Sequence, residues 1–131
     1  MDRFDDEIEE LAAAVIGAAI EVHRHLGAGH HESVYGNALE HELRLRDIPY
    51  ERERSIQVTY KEVGVGEGRL DFWISGRLVV ELKAVPQLSP VYTAQVVSYL
   101  AIVNEPVGLL INFNTRVLKD GIKRIVRSAT T

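Results

Sequence analysis

Asp71, Glu81 and Lys83 stand within residues 70–83, LDFWISGRLVVELK, a run that otherwise reads as two apolar strands joined by a turn. Burying a charge is costly unless it is paired or binds a metal. The economical partner here is a divalent cation held by the two carboxylates, with the lysine ammonium beside it. That set suits metal-assisted hydrolysis of a phosphodiester. The competing explanation is a cross-strand salt bridge on a solvated face, because opposite charges pair readily across a sheet.

The choice turns on the loop. Side chains alternate along a strand, so Glu81 and Lys83 share one face while Val80 and Leu82 take the other. With an odd-length loop centred on Ser75-Gly76-Arg77, Ile74 pairs with Leu78 and Asp71 lies across from Glu81. Their Cβ atoms would then be roughly 5 Å apart. One Mg²⁺ can take an oxygen from each carboxylate at about 2.0–2.1 Å and keep several waters. A two-residue turn would instead set Asp71 against Val80 and turn it away from Glu81. The flanking residues favour a covered strand. Leu70, Phe72, Ile74, Leu78, Val80 and Leu82 are expected on one apolar face, and Trp73 and Val79 make the other face partly apolar too.

Other residues of chemical interest lie on neighbouring elements. In Gly29-x-x-Glu32-x-x-Tyr35 the glutamate falls in the first turn of a helix, with Tyr35 one turn on. An acid there also suits the helix dipole without any further role. Gln95 and Tyr99 are four apart and share a helical face. His30 and His31, with His23 and His25 nearby, invite a zinc reading, but their spacing across a glycine loop fits no standard ligand pattern.

These residues need a scaffold, and the pattern supplies one. Ile8, Leu11, Val15 and Ala19 or Ile20 recur at helical spacing over 6–26, and the glycines of Leu26-Gly27-Ala28-Gly29 stop that helix. A second helix is predicted from about His31 to Arg46, burying Tyr35, Leu39 and Leu43 and ending before Pro49. Two strands are predicted near 50–54 and 56–60, then a glycine-rich turn at 64–68 and the hairpin at 69–84. Ser89-Pro90 is a helix start, an N-cap followed by proline, and that helix runs to about Asn104. Val107–Asn112 is a short apolar strand, and the basic tail after Lys119 adds a strand or turn. The expected architecture is α/β, a small mixed β-sheet flanked by helices, in a single domain over 1–131.

Composition narrows the function classes. The 131 residues, 46% hydrophobic and 26% charged, are ordinary for one compact globular domain. Without cysteine there is no disulfide framework and no thiolate metal site, which is compatible with a cytoplasmic location. The acidic opening MDRFDDEIEE lacks the layout of a secretory signal, and LAAAVIGAAI is too short to span a bilayer. A net charge of −4 argues against non-specific nucleic-acid binding by the whole surface. Any such contact must be local. Arg44, Arg46, Arg52 and Arg54 form one candidate patch, Lys119, Lys123, Arg124 and Arg127 another, and either also reads as a solvated face.

Taken together, the chain resembles the GxxExxY proteins, a group within the PD-(D/E)XK nuclease superfamily. The resemblance is carried by IGAAIEVHRHLG at 16–27, GHHESVY at 29–35, ELRLRDIPYERE at 42–53, GEGRLDFWI at 66–74, VVELKAV at 79–85 and GLLINFNTRVLKDGIKRIV at 108–126. It implies a PD-(D/E)XK nuclease-like core in αβββαβ order. By the same resemblance Asp71 matches the motif aspartate, Glu81 and Lys83 the E-x-K pair, Glu32 the helical glutamate, and Gln95 the glutamine of the following helix. His30 and His31 replace apolar residues of the family, and Tyr92 stands where a histidine is frequent.

The resemblance implies hydrolysis of nucleic-acid phosphodiester bonds, DNA in the first instance, with Mg²⁺ or Mn²⁺. Asp71, Glu81 and the Leu82 carbonyl would hold the cation, with Glu32 reaching it directly or through water. Lys83 would orient the attacking water or stabilise transition-state charge, and Gln95 would position water or phosphate. A chain this short has little room for a sequence-reading element, which points to a homodimer or protein partner. Two other readings stay open: a binding module that turns over nothing, and a zinc-histidine hydrolase.

Overall fold

A computed structural model describes residues 6–127. The first five residues, MDRFD, which carry half of the acidic opening, and the last four lie outside the described residues.

Helix α1 (Asp6–Leu26) turns Ile8, Ala12, Val15 and Ala19 into the interior. Its alanines let helix α2 (Glu32–Leu45) approach closely, and α2 buries Tyr35, Leu39 and Leu43 as their i, i+4, i+8 spacing predicts. Between the helices, Gly27 (φ 70°) and Gly29 (φ 103°) adopt left-handed backbone that other residues rarely reach. Strands β1 (Tyr50–Tyr60), β2 (Val63–Ile74), β3 (Leu78–Lys83), β4 (Val107–Asn112) and β5 (Ile122–Val126) form one sheet in sequential order. Helix α3 (Pro90–Val103) crosses between β3 and β4, which are parallel, while the other neighbours are antiparallel. Ser89 caps α3 by accepting the Val91 N–H at 3.3 Å, with Pro90 in the first turn. The expected mixed sheet and αβββαβ order are borne out.

Two apolar layers sandwich the sheet. On one side α1 and α2 pack on Phe72, Val80, Leu82, Leu109 and Ile111; on the other, α3 packs on Leu70, Val79, Leu110 and Ile125. Strand β4 is buried along its whole length, which explains its unbroken apolar run.

Three expectations are corrected. The strands near 50–54 and 56–60 are one strand, and the glycine-rich stretch at 64–68 is not a turn but part of β2. The chain reverses instead at Lys61 and Glu62, both at positive φ (49° and 71°), a two-residue hairpin turn between Tyr60 and Val63. Gly68 serves packing: a Cβ there would stand 2.8 Å from the Tyr99 ring of α3. Leu70 is the third correction. Regular alternation would place it with Phe72 and Ile74, yet it packs on the α3 side.

The cause is a switch of face at residues 53 and 71. Arg52 lies over the Phe72 ring (5.6 Å) and Arg54 over the Trp73 ring (5.0 Å), on opposite sides of the sheet although only two residues apart. Glu53 between them has φ 55°, and neither Glu53 nor Asp71 takes part in the ladder that pairs Arg52 with Phe72 and Arg54 with Leu70. Asp71 therefore sits where β2 changes face. The β1–β2 hairpin continues past that point as an arm largely exposed on both faces.

Beyond β4, Gly121 passes so near the Asn112 carbonyl that an added Cβ would lie 2.2 Å from that oxygen. Gly121→Ala is expected to destabilise the fold by about 3 kcal/mol, because backbone cannot yield as a side-chain tip can. Gly66→Ala, with nothing within 4 Å of its Cβ, is expected to leave stability unchanged. Thermal melts of the two variants check the contrast; equal midpoints would refute it.

Candidate functional site

Strands β2 and β3 pair at Ile74/Leu78, Trp73/Val79 and Phe72/Val80, closed by the three-residue loop Ser75-Gly76-Arg77. The loop is odd in length, and Ser75 and Gly76 take positive φ (51° and 67°) to make it. The ladder stops one step later, where side chains replace it. The Asp71 N–H donates to Glu81 Oε2 at 2.9 Å, and the Leu82 N–H donates to Asp71 Oδ2 at 2.8 Å. Each carboxylate thus occupies the backbone partner the opposite strand would otherwise offer. The two face each other, as the odd loop requires.

Their environment is electrostatically tense. Glu81 is 4% exposed. Burial, joined by repulsion from Asp71, pushes its carboxyl up to about 8, with the Asp71 N–H and Lys83 opposing. Burial likewise raises Asp71, offset by the Leu82 N–H, Lys83, a hydrogen bond from Glu81 and Arg69. Both carboxyls are thus held toward their protonated forms. Glu32, at the start of α2, is raised first by loss of water around it and then by Asp71, with Lys83 opposing.

The remaining predicted residues surround this pair. A cavity of about 530 Å³ is lined by Glu32, Asp71, Glu81, Lys83, Gln95 and Tyr99, with Ser55, Glu67, Gly68 and Arg69 from the arm. A second, of about 300 Å³, shares Glu32, Arg69 and Asp71 with it and adds Ser33, Gly36, Arg52, Glu53, Phe72 and Leu82. Lys83 Nζ stands 4.5 Å from the Tyr92 ring centroid, a cation–π contact. Among the described residues no three carboxylates or histidines converge closely enough to hold a metal ion. Glu32 is thus near Asp71 and Glu81 but not gathered with them into one shell, and a histidine-based zinc centre finds no support.

The helix motif has a structural half. Tyr35 is fully buried, donates its hydroxyl proton to the Gly27 carbonyl, accepts the His30 N–H at 3.2 Å and stacks on Phe113 at 4.6 Å. It fastens the loop that delivers Glu32. His30 and His31 are exposed, and His30 Nε2 lies 3.1 Å from the Leu26 carbonyl.

The first basic patch is tied up, Arg44 and Arg52 with Glu40, Arg46 with Glu42 and Arg54 with Glu51; in the second, Arg124 pairs with Glu9. Arg127 donates to the Asn104 side chain and the Glu105 carbonyl. Sequence reasoning missed Arg69, Glu67 and Ser55, whose place in the cavity depends on the length of the arm. It also missed Asn112, 3% exposed, which accepts the Val85 and Asn114 N–H groups at 3.1 Å and donates to the Val85 carbonyl at 2.9 Å. Together with the Phe113 N–H on the Lys83 carbonyl (2.8 Å), it pins the chain leaving Lys83. A polar residue closing the run VGLLIN was the available signal.

The comparisons with known proteins agree with this geometry. A family model described as the PD-(D/E)XK nuclease superfamily matches residues 9–125. A search of curated proteins found no match. Among solved structures, the chain is similar to the crystal structure of SSO0001, at 18% identity and a TM-score of 0.56. That match covers 75% of this chain and 50% of the other, so the chain spans half the length of that protein; at this identity the likeness concerns the fold alone. With a family model covering most of its length and the corresponding mixed sheet beneath it, the chain belongs to the PD-(D/E)XK nuclease superfamily.

Proposed function

We propose that the protein is a metal-dependent nuclease of the GxxExxY kind, a single domain that hydrolyses phosphodiester bonds in nucleic acid, DNA in the first instance. The observation that carries this reading is the pairing of buried Glu81 with half-buried Asp71, open to one cavity with Lys83, Glu32 and Gln95. Two adjacent carboxyl groups that burial, joined at Glu81 by repulsion from Asp71, pushes toward their protonated forms are a donor set that a divalent cation relieves, so the residues fit Mg²⁺ or Mn²⁺. Asp71 and Glu81 would hold it with the Leu82 carbonyl, and Glu32 would act through water. When bound, the cation supplies Lewis-acid stabilisation of charge on the phosphate and a more acidic water.

The chain's own groups do the rest. The Lys83 ammonium, steadied over Tyr92, stabilises the negative charge that builds on the phosphate oxygens. The exposed Gln95 amide orients the water or the scissile phosphate from the opposite wall. Glu32 accepts a hydrogen bond from that water. Tyr92→Phe is expected to keep activity, since the ring face remains, whereas Tyr92→Leu should lower kcat about two- to five-fold. Equal rates for both would remove Tyr92 from the site.

The deciding experiment is a cleavage panel of single- and double-stranded DNA and RNA with Mg²⁺ or Mn²⁺, run beside Lys83→Ala. No cleavage by the wild type, or cleavage that Lys83→Ala retains, would overturn the proposal. The binding-module reading has one observation in its favour, the want of a three-carboxylate cluster among the described residues. Calorimetry with Mn²⁺ separates the two, because the module predicts no heat of binding and no effect of Asp71→Asn. A dimer or protein partner, and a cytoplasmic location, complete the proposal; no helix among the described residues is long and apolar enough to cross a membrane.

A further inference from the structure

We infer that Arg69 forms a phosphate-binding subsite beside the carboxylate pair, gripping a backbone phosphate of the nucleic acid next to the scissile one. The inference rests on the nuclease reading and extends it to how substrate is held. Three arginines lie on β1 and β2 around the face switch, and two are committed elsewhere. Arg52 donates to Glu40 at 2.9 Å and to Asn37 at 2.8 Å. Arg54 pairs with Glu51 and covers Trp73 on the far face of the sheet. Arg69 has no ion-pair or hydrogen-bond partner among the described residues, is exposed, and lines both cavities. The face switch at residue 71 is what turns it there, away from the α3 side that Leu70 takes.

Its position fits a phosphate rather than structural neutralisation of Asp71. Among the groups favouring the Asp71 carboxylate, Arg69 acts after the Leu82 N–H, Lys83 and Glu81. The two cavities meet at Arg69, Asp71 and Glu32, so a strand running from one to the other passes the carboxylates and the guanidinium in succession. A guanidinium presents a planar fork matched to two phosphate oxygens, and at such a crossing it fixes the register of the strand without reading bases. Net charge elsewhere is negative, so this contact carries a large share of the electrostatic attraction.

The test measures binding of labelled single-stranded and duplex oligonucleotides to the Lys83→Ala protein across a salt series, without divalent cation. Adding Arg69→Ala is expected to weaken binding about five- to ten-fold. It should also reduce the slope of log affinity against log salt by about 0.7 for a single strand or 0.9 for a duplex. Arg69→Lys should recover part of both. Arg54→Ala, which removes the same charge from the far face, should change neither. Equal effects of Arg69→Ala and Arg54→Ala would overturn the subsite, as would a cleavage defect confined to kcat with KM unchanged. Cleavage by the wild type that Lys83→Ala abolishes upholds the nuclease reading whatever Arg69 does. Absence of cleavage sinks that reading, while the salt slopes still judge Arg69; no cation-independent binding by any variant overturns the subsite.

Discussion

Lys83→Ala is expected to reduce cleavage by at least about 10³-fold while the protein keeps its fold. The size follows from what the ammonium is asked to do. Removing one preorganised donor aimed at developing charge costs about 10²–10³ in rate, and losing a group that also orients the water adds to it. The fold should survive because the Lys83 side chain is only half-buried and packs against the Tyr92 ring through a cation–π contact rather than into the apolar core. Its backbone, not its side chain, is what Phe113 holds. A melting point within a few degrees of the wild type, an unchanged circular dichroism spectrum and loss of cleavage together constitute the expected result. Lys83→Arg separates charge from geometry: the guanidinium keeps the charge but cannot occupy the same point over Tyr92, so it should recover little activity. Full activity in Lys83→Ala would remove the lysine from the mechanism. Loss of activity together with loss of fold would show that the side chain is structural.

The sequence disclosed the residues at the centre of the candidate site and concealed those around them. Asp71, Glu81 and Lys83 were legible because strand alternation is local, and an odd loop converts two positions ten apart into neighbours. The register bears this out at Ile74/Leu78. Helix α3 was legible from Ser89-Pro90, since capping is a property of three adjacent residues. The arm was not. Gly64, Gly66 and Gly68 look like a turn, but glycine also marks a strand that another group approaches closely, and only the packing of Tyr99 distinguishes the two. Leu70 was placed on the wrong face because alternation assumes a regular strand, and nothing in the residue types announces a left-handed glutamate at position 53. The same irregularity hid Arg69. Asp71 owes its sideways aim toward β3 to that switch, so the feature least visible in the sequence is the one that completes the pair.

The second large effect is a dependence of stability on pH that a divalent cation reverses. Glu81 titrates near 4.5 in an unfolded chain and is pushed up to about 8 in the folded protein. Between those values the folded protein retains a proton that the unfolded chain has released. Stability is then fully present below about pH 4.5 and declines as pH rises toward 8, by up to about 1.4 kcal/mol per pH unit for one proton. Asp71, raised as well, steepens the same slope from its lower starting value of 3.8. In a chelating buffer the wild type should therefore melt higher at pH 5 than at pH 8, and Glu81→Gln, which cannot titrate there, should flatten the curve. A cation competes with the retained proton, so adding Mn²⁺ should stabilise little at pH 5 and strongly at pH 8. At 100 times its dissociation constant the gain is about 2.7 kcal/mol, several degrees in melting temperature for a chain of this size. Asp71→Asn should abolish the Mn²⁺ shift while leaving the protein folded, since the amide oxygen can still accept the Leu82 N–H. A Mn²⁺ shift of equal size at both pH values, or one that persists in Asp71→Asn and Glu81→Gln, would place the cation elsewhere on the protein and leave the pair as no more than two carboxyls held toward their protonated forms.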